Sequence, residues 1–338
     1  MSVTTSPPVI DLEPDDEIER HRREITRYCY RMLGSVFDAD EAAQETMVRA
    51  WRSRSGFEGR SSLRTWLYRI ATNICLDALR SQQRRARPMD LGPSSPAEER
   101  FLGPMDTDQP WVLPMPDTHC FSDGDPEASL LERESIRLAF VAALQHLPAR
   151  QRAVLILADV LRWSAREVAQ LLDTTVASVN SALQRARATL EACDFELHPA
   201  SGTLGTGALG AAENDLLDQY VDAFEQYDVT RLALLLRDDV IQSMPPFAMW
   251  LEGPDQIARW MLGPGFECQG SRLLATAANG GAAFGQYRRA ETFGETGGGH
   301  LPWALQVIEV SDGAISGIHS FLDTDLFAAF DLPPRLDP

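Results

Sequence analysis

Between residues 57 and 87 the chain gathers arginines, aromatic rings and an amide. Phe57, Arg60, Ser61 and Ser62 lie in a short loop, and Arg64, Trp66, Arg69, Asn73 and Arg80 follow at helical spacing. A guanidinium grips phosphate bidentately, an asparagine reads a base edge, and an aromatic ring stacks an unpaired base. The residue types alone fit a solvated helix face, with Trp66 in a core, equally well. A second set is Thr175, Ser178, Asn180, Ser181, Gln184, Arg185 and Arg187. Its small polar residues come first and its arginines later. On a helix docked in a DNA groove that order puts base-edge contacts near the N-terminus and phosphate contacts further along. The bland alternative is one half of a helical hairpin in a bundle.

The elements that must position these residues follow from periodicity. Ile18, Ile25, Tyr28, Cys29, Met32 and Leu33 recur at helical spacing, and Gly34 stops that run. Asp38 with Glu41 reads as a capping box for a helix that buries Ala42, Ala43, Thr46, Met47, Ala50 and Trp51. Ser61 or Ser62 caps a third helix with Leu63, Trp66, Leu67, Ile70, Ile74 and Ala78 inward. Residues 88–128 carry eight prolines, many acids and no apolar period, which predicts an extended linker. The stretch around Trp111 is the exception, since an aromatic in a pure spacer has nothing to pack on.

Helices resume at 129–193. Ser164 with Glu167 forms a second capping box, and the turn Asp173–Thr174–Thr175 leads into a helix with Val176, Val179, Leu183 and Leu190 inward. Two helices joined by so short a turn predict a helix-turn-helix. A Gly-rich tether fills 194–212. Beyond it, helical segments at 213–226 and 229–236 precede strand-like runs, with Asp312–Gly313 as a hairpin turn. That is an α+β domain, helices first and then an antiparallel sheet.

The 338 residues carry 31 basic and 49 acidic side chains, a net charge of −18 that argues against a protein coating nucleic acid. The charge is uneven: residues 46–90 sum to +7, 91–135 to −8 and 201–338 to −12. The five cysteines are scattered with no CxxC pair, and His119–Cys120 lacks a second ligand pair, so neither metal nor cofactor is expected. The N-terminus lacks the basic head and apolar stretch of a secretory signal, and no apolar run suits a bilayer span. The expected location is the cytoplasm, away from membrane.

DADEAAQETMVRAW followed by FEGRSSLRTWLYRIATNICLDALRS resembles region 2 of a sigma-70 family RNA polymerase sigma factor. LPARQRAVLILADVLRWSAREVAQLLDTTVASVNSALQRARATL resembles region 4. With no folded region between them, the likeness is to the extracytoplasmic function (ECF) group. The tail, ending HSFLDTDLFAAFDLP, is similar to SnoaL-like members of the nuclear transport factor fold. The resemblance implies two all-α sigma domains followed by an α+β cone. Its boundaries are an N-terminus at 1–16, region 2 at 17–90, an acidic linker at 91–128, region 4 at 129–193, a tether at 194–212, the SnoaL-like domain at 213–331 and a tail at 332–338.

The resemblance also implies roles. Asp38, Asp40, Glu41, Gln44 and Glu45 match the segment that docks on the clamp helices of the polymerase β′ subunit. Acids suit a helix N-terminus in any case, which covers Asp40 and Glu41 but not the whole cluster. Phe57 to Arg64, with Trp66, Arg69, Asn73 and Arg80, match the element that melts the −10 box and captures a flipped base. Thr175 to Arg187 match the reader of the −35 box, on a region that meets the β flap. The linker matches a segment that threads the polymerase's RNA path. Asp173 stands where the family often has Gly, a replacement that tolerates the left-handed conformation. Tyr220, Phe224, Trp250, Trp260, Tyr287, Trp303 and His319 are candidates to line the cone's pocket around a small ligand of unknown kind, with Asp222 or Asp239 as polar groups; plain core packing is the open alternative for each aromatic and for His319. The implied function is promoter recognition and melting for core RNA polymerase, with the tail acting in cis and not as an enzyme. Two alternatives stay open: a stand-alone ligand-responsive helix-turn-helix regulator, and a SnoaL-like enzyme fused to a DNA-binding region.

Overall fold

The computed structural model describes residues 14–57, 59, 61–80, 82–121, 133, 135–192 and 211–338. Arg60, the start of region 4 and nearly all of the tether lie outside the described residues. The first helices are α1 (Pro14–Glu19), α2 (Arg22–Leu33), α3 (Val36–Ser53) and α4 (Leu63–Ala78). Gly34 ends α2 at φ 73°, a conformation that favours glycine. The chain restarts at once: Ser35 is extended, and its side chain accepts the Asp38 amide proton. The N-cap of α3 is therefore Ser35 and not Asp38, which sits in the first turn. The reason is that Gly34 turns the chain so sharply that no loop is left before the next helix. Ser62 caps α4 as expected. Tyr28 packs edge-on to Tyr68 in the core of this bundle, and its hydroxyl meets Thr72 Oγ1 at 2.7 Å.

The second helical unit comprises α6 (Leu138–Gln145), α7 (Ala149–Leu155), α8 (Ala165–Leu171) and α9 (Val176–Ala192); a short α5 (Asp117–Cys120) precedes it. The Ser164–Glu167 capping box forms in both directions. Asp173 adopts φ 50°, so the turn between α8 and α9 keeps its left-handed residue without glycine.

The tail has α10 (Ala211–Glu225), α11 (Val229–Ala233), β1 (Leu236–Ser243), β2 (Trp250–Glu252), α12 (Pro254–Leu262), β3 (Arg272–Ala278), β4 (Gly281–Arg289), β5 (His300–Ser311), β6 (Ala314–Phe321) and α13 (Asp325–Ala329). The sheet order is β2-β1-β6-β5-β4-β3, and β1 lies parallel to β6. The sheet is thus mixed, not antiparallel throughout, because β2 and α12 intervene before the meander of β3 to β6. The β5–β6 turn at Asp312–Gly313 has positive φ at both residues.

Both faces of this sheet are buried. One carries Phe284, Ile308 and Ile318 against Tyr220, Phe224 and Trp260 of the helix layer. The other carries Ala283, Tyr287, Leu305, Val307 and Phe321, which join α13 and the two helical units in one continuous apolar cluster. The linker does not hang free, contrary to the extended spacer its composition predicts. Ala97 and Leu102 pack on the tail core, and backbone bonds join Ser95 to Trp250 and Asp106 to Pro246. It then returns to the first bundle, pairing Ala86 with Trp111 and Leu113 with Gly34. Proline-rich chain lacks donors, so it docks through the few amides and apolar side chains it has.

Candidate nucleic-acid interface

Phe57 and Trp66 stack with ring centroids 5.0 Å apart, below the end of α3. Beside them an open cleft of about 430 Å³ is lined by Arg49, Arg52 and Ser53 of α3 and by Trp66, Ile70 and Asn73 of α4. Its floor is apolar and its rim holds two guanidiniums and an amide, a combination suited to a planar base with its phosphate. Trp66 is half-buried, packed on the edge of the bundle core while also lining the cleft. Sequence reasoning placed Trp66 and Asn73 here and missed Arg49 and Arg52. Their signal was present, since arginines at 49 and 52 on α3 and at 54 just after it run toward the loop.

Other members of the first set turn elsewhere. Arg64 bonds Glu24 Oε1 at 2.6 Å from Nε and lies 5.4 Å from the Trp163 ring, so it stands inside an interface. Burial pushes the Glu24 carboxyl up, but bonds from Arg64 and Tyr68 outweigh it and hold it below its ordinary range. Arg69 donates to the Gln170 carbonyl at 3.0 Å. Arg80 pairs with Asp77, and Ser61, Ser62 and Asn73 are at least partly exposed.

All seven residues of the second set are exposed along α9. Thr175 Oγ1 accepts the Ser178 amide and so caps the helix start. Arg185 reaches back to Ser181 Oγ at 2.6 Å, leaving most of its guanidinium open. Arg187 instead forks onto Asp159 at 2.9 and 2.6 Å, which ties α9 to the turn after α7.

The acidic set lies along α3. Glu41 and Gln44 are exposed, and Glu45 pairs with Arg49 at 2.6 Å. Asp38 is taken up by Arg85, at the end of region 2, and Asp40 by His119 of the linker. Arg85 Nη2 stands 2.5 Å from Asp38 Oδ2, and His119 Nδ1 stands 3.1 Å from Asp40 Oδ2.

The two helical units pack directly on each other. Arg31 of α2 donates to the Ser135 carbonyl at 3.1 Å, and Arg152 of α7 donates to the Met32 carbonyl at the end of α2. Burial lowers the Arg152 guanidinium to about 10; its Nη2 donates to the carbonyls of Gln145 and Leu147, and its buried Nε has no partner. Tyr68 and Trp163 rings meet at 5.1 Å.

The seven tail residues are not brought to one cavity. Tyr220, Phe224 and Trp260 lie on the helix-layer side. There Tyr220 donates to Gln306, Gln306 to Gln286 and Gln286 to Ser271, at 2.7, 2.9 and 3.1 Å, a buried hydrogen-bond chain on this side of the sheet. Tyr287 is on the other face, donating to the Pro333 carbonyl. His319 is also on that face, beside Ser243 Oγ at 2.8 Å and Glu309. Trp303 stacks under Arg288, and Trp250 reaches out to the Gly92 carbonyl. Asp222 and Asp239 are exposed and pair with arginines. Among the described residues no group of His, Cys, Asp and Glu could hold a metal ion, and no helix is long and apolar enough to cross a membrane.

A helix-turn-helix, an arginine-rimmed cleft on a second helical unit and an appended cone are the parts of a modular DNA-binding protein. Family models agree: sigma-70 region 2 over residues 18–85, sigma-70 region 4 over 137–190 and a SnoaL-like domain over 217–318. The chain is 42% identical over 335 residues to the ECF RNA polymerase sigma factor SigG of Mycobacterium tuberculosis, spanning 96% of this chain and 87% of that one. It is 26% identical to SigJ of the same organism, over 94% of this chain and 95% of SigJ. The crystal structure of SigJ matches the fold with a TM-score of 0.60, covering 94% of this chain and 99% of that one. This chain belongs to the ECF RNA polymerase sigma factor family. Its function is that of a sigma factor: it binds core RNA polymerase and promoter DNA for transcription initiation.

Proposed function

We propose that α9 reads the −35 box, that the cleft between α3 and α4 captures an unpaired −10 base, and that the tail governs both in cis without being an enzyme. What supports the cis reading is the contact of Arg69, on the −10 helix, with Gln170, in the helix-turn-helix, at 3.0 Å. Promoter boxes about 17 base pairs apart are separated by roughly 58 Å at ~3.4 Å per pair. Readers that touch cannot hold both boxes at once, so the two regions must part on the promoter. The arrangement with the tail docked is therefore a resting one.

The tail favours that rest through one hairpin tip. Asn279, between β3 and β4, donates to the Tyr30 hydroxyl at 2.7 Å and to the Ile136 carbonyl at 2.6 Å, and its Oδ1 accepts from the Met115 amide at 3.1 Å. One side chain thus bonds region 2, region 4 and the linker together. Against catalysis stands the division of polar groups between the two faces of the sheet: His319 and the Tyr220 chain cannot act on one substrate atom.

The test ends the chain near residue 200 and compares promoter transcription and polymerase affinity with the full chain, alongside full-length Asn279→Gly. Both variants are expected to transcribe more strongly. If neither differs from the parent at several salt concentrations, cis control is refuted.

A further inference from the structure

Two basic side chains that flank the linker's path lie on the acids of α3, one before the linker starts and one near its far end. Arg85 sits where the linker leaves region 2, and His119 sits where it approaches region 4. The Arg85–Asp38 pair is shielded, with side chains only 13% and 24% exposed. The Arg85 guanidinium also donates to the Trp111 carbonyl at 2.7 Å, so it joins the outgoing linker strand, the returning strand and α3. His119 is held by α5, whose carboxylate Asp117 accepts the Gly280 amide of the tail at 2.8 Å. Two residues earlier, Met115 exchanges two hydrogen bonds with Asn279. The tail therefore grips the linker immediately before His119.

We propose that Arg85 and His119 form a clasp over Asp38 and Asp40, so that the linker competes with core RNA polymerase for α3, and that the tail sets the strength of this clasp by pinning Met115 to Asp117. The proposal rests on the reading of α3 as the polymerase-docking segment. Glu41 and Gln44 stay open for a first encounter. Full docking then requires the linker to lift from Asp38 and Asp40, and a lifted linker is one free to enter a basic channel. A protein whose docking acids are free only a fraction of the time has an apparent dissociation constant raised by the inverse of that fraction. Release of the clasp therefore tightens binding without adding a contact.

The experiment titrates core polymerase with the full chain and with full-length variants, checking each by thermal unfolding. His119→Gln, and His119→Gln combined with Arg85→Gln, should tighten binding by about threefold to tenfold, the gain available if the acids are covered about 70–90% of the time. Asn279→Gly should tighten it by a similar factor. Combined with His119→Gln it should give less than the product of the two, since both act on one equilibrium. Glu41→Gln, in the docking set but outside the clasp, should weaken binding.

The outcomes separate two failures. If Glu41→Gln binds as tightly as the parent, the docking reading of α3 is wrong, and the proposal falls with it. If Glu41→Gln weakens binding while His119→Gln and the double variant leave it unchanged or weaker, α3 docks as read and the clasp is only a structural support, which overturns the proposal alone. His119→Gln, which spares the Arg85–Trp111 bond, guards against a double variant that unfolds.

Discussion

Replacing Asn279 by alanine removes the three side-chain hydrogen bonds that hold region 2, region 4, the linker and the tail at one point. Asn279 is 3% exposed, so the partners it leaves are buried. At ~1 kcal/mol for each lost bond the docked state is weakened by about 3 kcal/mol, and an unpaired buried group raises that figure. Asn279 also has φ 57°, where alanine costs ~1 kcal/mol more than asparagine or glycine. The total is about 4 kcal/mol for alanine and about 3 for Asn279→Gly. Since 1.4 kcal/mol is tenfold, undocking becomes about 1,000-fold more frequent with alanine and about 100-fold with glycine.

Amide hydrogen exchange reads this locally. The Met115 amide donates to Asn279 Oδ1, and the Leu113 amide donates to Gly34 beside Tyr30, so both should exchange faster by factors approaching those values. Amides between β4 and β5 belong to the tail alone and should keep their protection. Unchanged exchange at Met115 in both variants would refute the pinning. Equal acceleration in β4 and β5 would show that the hairpin tip supports the tail's own fold and not its docking.

Other perturbations address the DNA surfaces and the clasp. Arg185→Ala should weaken binding to all −35 variants alike, whereas Asn180→Ala or Ser181→Ala should change preference at one position by about 1–3 kcal/mol; a panel of −35 sequences measures both, and matching profiles would count against the docking of α9. Trp66→Ala removes the cleft floor and the Phe57 stack, so promoter melting scored by permanganate reactivity of −10 thymines should fall by about tenfold or more, and parental reactivity would sink the base-capture role. His119 is raised above its ordinary value by its bond to Asp40, against the opposing effect of burial, with Asp40 and Asp331 as the acids that face it. A raised histidine keeps its contact below about pH 6.5 and loses it as pH rises through the folded value. Polymerase affinity of the parent should therefore gain on that of His119→Gln as pH rises through that window, and parallel profiles would exclude a charged clasp.

Much of this was legible in the sequence. Gly34, Ser62, the Ser164–Glu167 box and the Asp312–Gly313 turn act over a few residues, and local chemistry decides them. The same holds for most of α9, whose exposed face follows from its period, although Val176, expected inward, is exposed at the helix start. Other features depend on chain that is distant in sequence. Nothing near Asp38 says that Ser35 caps α3, except that Gly34 leaves no loop. The cleft needs Arg49 and Arg52 from one helix and Trp66 from the next. The tail aromatics were read as one lining because composition carries no information about which side of a strand faces which layer. Here alternation puts Phe284 and Tyr287 on opposite faces, with a register shift between Gln286 and Tyr287. The linker misled most, because prolines and acids predict a spacer, whereas Trp111, Val112 and Met115 are buried.

The tail's two faces suggest how a signal would travel. The helix-layer face is closed by the chain from Tyr220 through Gln306 and Gln286 to Ser271. A ligand entering there must take over those hydrogen bonds, since buried amides left unpaired cost about 1–3 kcal/mol each. Gln286 lies on β4, and the same hairpin ends seven residues earlier at Asn279. β4 is therefore the shared element: its inner face meets any guest, and its tip holds the linker. A guest shifts the resting state only if it binds the undocked form better than the docked one, and a tenfold preference is worth ~1.4 kcal/mol. That is less than the ~3 kcal/mol carried by the Asn279 side chain. A weakly discriminating ligand would loosen the tail without releasing it, and polymerase, by competing for Asp38 and Asp40, would have to supply the remainder.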